Sequence, residues 1–204
     1  NQKEEFWKFK LFAFLHDPPD KCFDIGRHEE NALSYQSDAG FYDQQEQRSL
    51  SHKLKIADFF SSAADRFVFP KKKCNTDYTG QEGSSFIHPI SSTSFVTPSD
   101  LSGKSESLHQ TLEAVVRAIE TDDWHLKFFL YWRRWLENAV TTKKEHAEYL
   151  TFSPADSRIP DHSIWNHMAA TSAIAGCIEK ESIKPAFLLF QLGGIQDFIA
   201  QARS

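Results

Sequence analysis

With 204 residues the chain has room for one or two domains and a sizeable core. Its 40% hydrophobic and 25% charged content is that of an ordinary globular protein. A net charge of −5 argues against a chain coated uniformly in nucleic acid, which needs concentrated positive charge, but leaves a local cleft open. Cys22, Cys74 and Cys177 lack metal-knuckle spacing and are odd in number, and no apolar run reaches the roughly 18 to 20 residues of a membrane span. Asn1-Gln2-Lys3-Glu4-Glu5 carries no signal-peptide pattern, so the expected setting is a reducing cytoplasm with no membrane contact.

Eighteen Phe and five Trp against a single Met predict a core built largely from aromatic rings. From Glu4 to Leu15 apolar residues surround almost the whole helical wheel, which predicts a buried central helix stopped by Pro18 and Pro19. A polar stretch follows to about Arg48. Leu50, Leu54, Ala57, Phe60, Ala64 and Phe67 then predict a helix over 49–67. Residues 70–104, with Lys71-Lys72-Lys73, several Ser, Thr, Gly and Pro, have the composition of a long surface loop or insertion. Helices are expected over 106–120 and 122–140, the second with Thr121 as its N-cap. An irregular stretch over 151–164 leads into a helix over 163–179.

The pattern changes at Ala186-Phe187-Leu188-Leu189-Phe190-Gln191-Leu192, a short apolar run followed by Gly193-Gly194 and a helix start, which predicts a strand, tight turn and helix. The organisation is thus a mainly α domain over 1–184 followed by the opening of an α/β unit over 185–204. A lone strand and helix make no stable sheet, so the expectation is a fragment of a longer protein, or partner strands supplied from elsewhere.

A divalent metal site on helices needs several hard or borderline ligands brought together from separate segments. Four places qualify. His16-Asp17 ends the first helix and can offer one nitrogen and one oxygen. Asp58 is a carboxylate in an otherwise apolar helix, where an unpaired charge is costly; a nearby cation would explain it equally. His167 sits on a helix of small residues, and His28 lies in Gly26-Arg27-His28-Glu29-Glu30. Each histidine alone is as compatible with a structural or surface role.

Together these segments resemble the HD phosphohydrolase superfamily, with Leu15-His16-Asp17-Pro18-Pro19-Asp20-Lys21 as the His-Asp motif, Ile56-Ala57-Asp58 as the distal Asp and Asn166-His167 as the single His. The order is circularly permuted. In that order, together with Ala64-Asp65-Arg66, Phe86-Ile87-His88-Pro89, Asp156 to His167 and Gly193-Gly194-Ile195-Gln196-Asp197-Phe198-Ile199, the chain resembles the large subunit of type III CRISPR effector complexes, Cmr (III-B) branch.

The resemblance implies a circularly permuted HD-type helical bundle followed by the first strand and helix of a ferredoxin-like palm domain. It implies a metal-dependent single-stranded DNA nuclease, switched on when guide RNA pairs with target RNA, working among the other subunits of the complex. His16, Asp17, Asp58 and His167 would hold one or two divalent transition metals, manganese, nickel or cobalt, with His28 and His162 as further candidate ligands. Lys21 would contact a phosphate oxygen, and Asp161 would orient His162. Asp65-Arg66 reads as an ion pair, and Lys71-Lys72-Lys73 as a solvated surface with nucleic-acid guidance as its alternative. The family's palm makes cyclic oligoadenylates from ATP with a Gly-Gly-Asp-Asp motif absent here, so no cyclase activity is expected of this chain. A generic HD nucleotide phosphohydrolase and an inactive assembly module are the competing expectations.

Overall fold

A computed structural model describes residues 1–65, 85–87, 94–96, 103–157, 160–179 and 182–189. The described chain is mainly helical, as the periodicity predicts. The central helix α1 (Gln2–Phe14) buries the consecutive residues Leu11, Phe12, Ala13 and Phe14, each 1% exposed or less. Burial on every side requires neighbours on every side, and α1 packs against α3 (Gln44–Asp65), α5 (Trp124–Thr142) and α7 (Ile164–Ala175). Its first turns, up to Phe6, are exposed.

Within the polar stretch after Pro19 the chain forms α2 (His28–Asp38), which the apolar pattern does not reveal. Its buried positions include Asn31, Tyr35 and Gln36, so hydrogen bonding rather than hydrocarbon holds much of its inner face. In α3 the inward stripe is Leu50, Leu54, Ala57 and Ser61, whereas Phe60 is 51% exposed, contrary to the sequence pattern. Small Ala57 and Ser61 let α3 lie close to α7, whose buried residues include His167, Thr171 and Ser172.

The expected loop over 70–104 contains two short strands, β1 (Ser85–Ile87) and β2 (Ser94–Val96), paired antiparallel with Phe86 opposite Phe95. Phe86-Ile87 and Phe95-Val96 are β-favouring pairs embedded in loop composition. Next come α4 (Ser105–Arg117), which packs on α2 and α5, then α5 and the short α6 (Ala147–Thr151). Asp123 rather than Thr121 caps α5: its carboxylate accepts from the backbone N–H groups of His125 and Leu126 at 2.9 and 3.2 Å. Thr121 instead accepts from the backbone N–H of Asp123.

The stretch before α7 is irregular as expected, with a bridge between Pro154 and Ser163, and Ser163 caps α7 by accepting from the Asn166 N–H. The helix stops at Ala175 instead of reaching Glu179. Beyond Gly176 the chain forms a hairpin of β3 (Ile178–Glu179) and β4 (Ser182–Ile183). Residues 186–189 of the expected palm strand make no ladder with any described residue, and Phe187, Leu188 and Leu189 are more than nine-tenths exposed. The Asp65 side chain, Arg66, Lys71-Lys72-Lys73, Cys74, His88 and Gly193 to Ile199 lie outside the described residues and side chains.

Candidate metal centre

His16 and Asp17 leave the C-terminal end of α1 just before the two prolines, while Asp58 comes from α3 and His167 from α7. The packing of α1 and α3 on α7 brings these four side chains together. The Nε2 atoms of His16 and His167 lie 3.3 Å apart. Asp17 Oδ2 stands 3.7 Å from the first and 3.5 Å from the second, and Asp58 Oδ1 stands 3.5 and 3.6 Å from the same pair. His16, Asp17 and His167 form a set whose ligand atoms all lie within 4.8 Å of one another.

The donor set suits a divalent cation. Ligand atoms about 2.1 Å from one ion at tetrahedral or octahedral angles lie roughly 3.0 to 3.4 Å from their neighbours, close to the observed separations. His16 Nδ1 is 2.7 Å from the Ala13 carbonyl oxygen, which can only accept, so Nδ1 carries a proton and Nε2 is the nitrogen turned to the cluster. His167 Nδ1 approaches the Ser61 hydroxyl at 3.4 Å, and the Ser62 hydroxyl donates to Asp58 Oδ1 at 3.2 Å. Two nitrogens this close can share a proton or a cation, and two imidazoles with two carboxylates are borderline and hard ligands of the kind such a cation takes.

Burial pushes the Asp17 carboxyl upward, but the charges of His16 and Lys21 and the contact with His167 outweigh it and hold Asp17 well below the ordinary carboxylate range. Hydrogen bonding to His16, and then to His167, likewise lowers Asp58 against the effect of its burial. Both carboxylates are therefore ionised and ready to ligate. Asp58, with 45% of its side chain exposed against 8% for His16, is the solvent-facing side of the cluster.

Lys21 Nζ bonds Asp17 Oδ2 at 2.6 Å, one helical turn on, and so touches a candidate ligand. The structure does not bring His28 or His162 into the close-set cluster. His28 Nδ1 donates to the Ile25 carbonyl at 2.6 Å, and His162 Nδ1 lies 2.6 Å from Asp161 Oδ1, the pairing expected of Asp161. Ser61 and Ser62 escape sequence reasoning, although Ser61 carries a signal: it is polar yet falls four residues after Ala57 on the buried stripe.

A helical bundle with two histidines and two carboxylates converging from three helices defines a candidate metal-centre protein. In comparison with known proteins the chain is homologous to Cmr2 of type III-B CRISPR systems. It is 27% identical to the CRISPR system Cmr subunit Cmr2 of Pyrococcus furiosus over 96% of this chain and 27% of the relative. With the CRISPR system CMR subunit Cmr2 of Saccharolobus solfataricus the identity is 24%, over 100% of this chain and 21% of the relative. The chain thus spans about a quarter of the length of these relatives. No family model matches the sequence. No helix among the described residues is long and apolar enough to cross a membrane.

Proposed function

We propose that this chain is an HD-type, metal-dependent nuclease unit of a Cmr-type CRISPR effector complex, hydrolysing single-stranded DNA under the control of guide and target RNA pairing. The observation that carries the proposal is the convergence of His16, Asp17, Asp58 and His167 around the 3.3 Å gap between two imidazole nitrogens. Homology to Cmr2 supports the assignment to a CRISPR effector subunit, and the motif resemblance supports the reaction and substrate.

A divalent transition metal bound by these four side chains would supply Lewis acidity, acidifying a water molecule and offsetting charge on the attacked phosphate. The protein's own part is positional. The Ala13 carbonyl fixes the proton of His16 on Nδ1, and Lys21 keeps Asp17 ionised and oriented, with further N–H donors that would contact a phosphate oxygen. Asp58, the exposed member of the cluster, marks the side from which an extended phosphodiester would approach. In the hydrolysis, water oxygen bonds to phosphorus as the bond to one sugar oxygen breaks, and that oxygen leaves with a proton.

The test is incubation of the purified chain with manganese, nickel or cobalt and labelled single-stranded DNA, beside nucleoside triphosphates. The expected result is metal-dependent DNA cleavage that is lost on combining His16→Ala with Asp17→Ala. Phosphate release from nucleotides with DNA left intact would establish a nucleotide phosphohydrolase instead. Metal binding without hydrolysis of either substrate, with guide and target RNA present in the assembled complex as well, would favour an assembly module.

A further inference from the structure

The His16-Asp17 motif continues into Pro18-Pro19-Asp20-Lys21, and Asp20 has no part in the cluster described above. It is nevertheless 1% exposed, a carboxylate in the aromatic core. Its Oδ2 atom accepts from Asn31 Nδ2 at 3.1 Å and Tyr35 Oη at 3.0 Å, both on α2, and lies 2.9 Å from His109 Nδ1 on α4. Three donors from two helices thus converge on one oxygen, while Oδ1 is buried with no hydrogen-bond partner among the described residues. Replacing such a group by hydrocarbon often leaves stability unchanged or raises it, so its energetic contribution alone does not account for it. Convergent hydrogen bonds do, however, fix position and direction.

What they fix is the turn bearing the candidate ligands. Lys21 N–H donates to the Pro18 carbonyl and Phe23 N–H to that of Asp20. The Pro19 carbonyl accepts from Ser153 Oγ at 2.6 Å, and the Leu15 carbonyl accepts from Gln36 Nε2. Asp20 stands between Asp17 and α2 and α4, and its neighbour Lys21 reaches back to Asp17. Resting on the metal-centre assignment made above, we infer that Asp20, clamped by Tyr35 and His109, is a positioning residue that sets the placement of Asp17 and thereby the affinity of the centre for its ion. His109 is in turn braced by Glu113, whose Oε1 lies 3.5 Å from His109 Nε2 and also accepts from the Ser34 hydroxyl.

The experiment measures manganese affinity of the purified full chain by calorimetric titration, with apo melting temperature and helical circular dichroism read in parallel. Tyr35→Phe removes one donor, His109→Gln keeps an uncharged amide donor but not at the Nδ1 position, and Asp20→Asn keeps shape while losing charge. Each is expected to weaken manganese binding about tenfold, the lower end for outer-shell partners, with helical content preserved. Should Asp20→Asn fail to fold, the Tyr35 and His109 variants still decide. Variants that melt at lower temperature yet bind manganese as tightly as wild type would overturn the inference, leaving the metal centre intact. A wild-type chain that binds no manganese overturns the metal-centre assignment itself, and the inference with it.

Discussion

His16 and His167 are 151 residues apart in sequence, yet their Nε2 atoms face each other at 3.3 Å. A proton or a cation held between the rings and the two flanking carboxylates would bridge that contact. Each carboxylate lies within 3.7 Å of both nitrogens, so a divalent cation would satisfy all four groups at once.

Metal should therefore stabilise the fold as well as bind. A ligand present at a hundred times its dissociation constant adds about 2.7 kcal/mol to the folded state. For a chain of this size that is roughly 5 to 10 °C in melting temperature. Differential scanning fluorimetry with manganese, nickel or cobalt is expected to show such a rise, reversed by chelator and absent in His167→Ala. An equal rise in that variant would mean that the ion binds elsewhere.

Lys21→Ala separates the charge partner from the ligand. Lys21 Nζ pairs with Asp17 Oδ2 at 2.6 Å, with 27% of the lysine side chain and 13% of the aspartate side chain exposed. Removing it leaves a largely buried carboxylate beside two histidines, so the apo protein is expected to melt several degrees lower. The metal-induced rise in melting temperature should grow, because a bound ion no longer shares Asp17 with an ammonium group. A lower apo melting temperature with an unchanged metal-induced rise would identify Lys21 as a packing residue only.

The pH dependence has a definite sign. Hydrogen bonding to Asp20 raises the pKa of His109 against the effect of its burial, so its contribution to stability is fully present below the unfolded histidine value and is lost as pH rises through the raised folded value. His146 runs the other way. Its burial, reinforced by Lys143, lowers its pKa, so its contribution is present above the unfolded value and is lost as pH falls through the folded one. Melting temperatures of wild type and His109→Gln between pH 5.5 and 9 should converge as pH rises, the variant lacking the component lost on that side. Parallel curves would show that the His109 charge contributes nothing to folding.

Much of the centre was legible because its chemistry is concentrated in short motifs: His16-Asp17 before a double proline, and Asp58 inside an apolar stripe. The long helices were legible for a similar reason, since Leu108, Leu112, Val115 and Val116 of α4 repeat at helical spacing and are buried. What escaped is where polar groups replace hydrocarbon or where tertiary contact decides. The inner face of α2 carries Asn31, Tyr35 and Gln36, and His109, an ordinary polar position by pattern, finds its role only because Asp20 is buried beside it. His28 is a further candidate from its sequence context, and in the structure the Ile25 carbonyl three residues back takes its Nδ1 proton. The α7 boundary was set by Gly176 and the hairpin after it, a competition between helix and strand that composition does not resolve.

Two core substitutions should distinguish the stability of the bundle from the geometry of the centre. Trp135 is fully buried on α5, donates Nε1–H to the Leu112 carbonyl at 3.1 Å, and meets the rings of Tyr35, Tyr131 and Trp165 edge-on. Trp135→Ala is expected to cost about 3 to 5 kcal/mol through the cavity and the lost ring contacts. Ala57→Leu adds bulk on the buried stripe of α3, the helix that carries Asp58 against α7, and overpacking of this kind costs about 1 to 3 kcal/mol. The smaller stability loss should have the larger effect on metal. Moving α3 away from α7 separates Asp58 from His16 and His167, whereas a cavity beside α5 leaves those contacts in place. Manganese titration of both variants, below their melting temperatures, is expected to show a marked loss of affinity for Ala57→Leu and little change for Trp135→Ala. The reverse order would remove Asp58 from the ligand set.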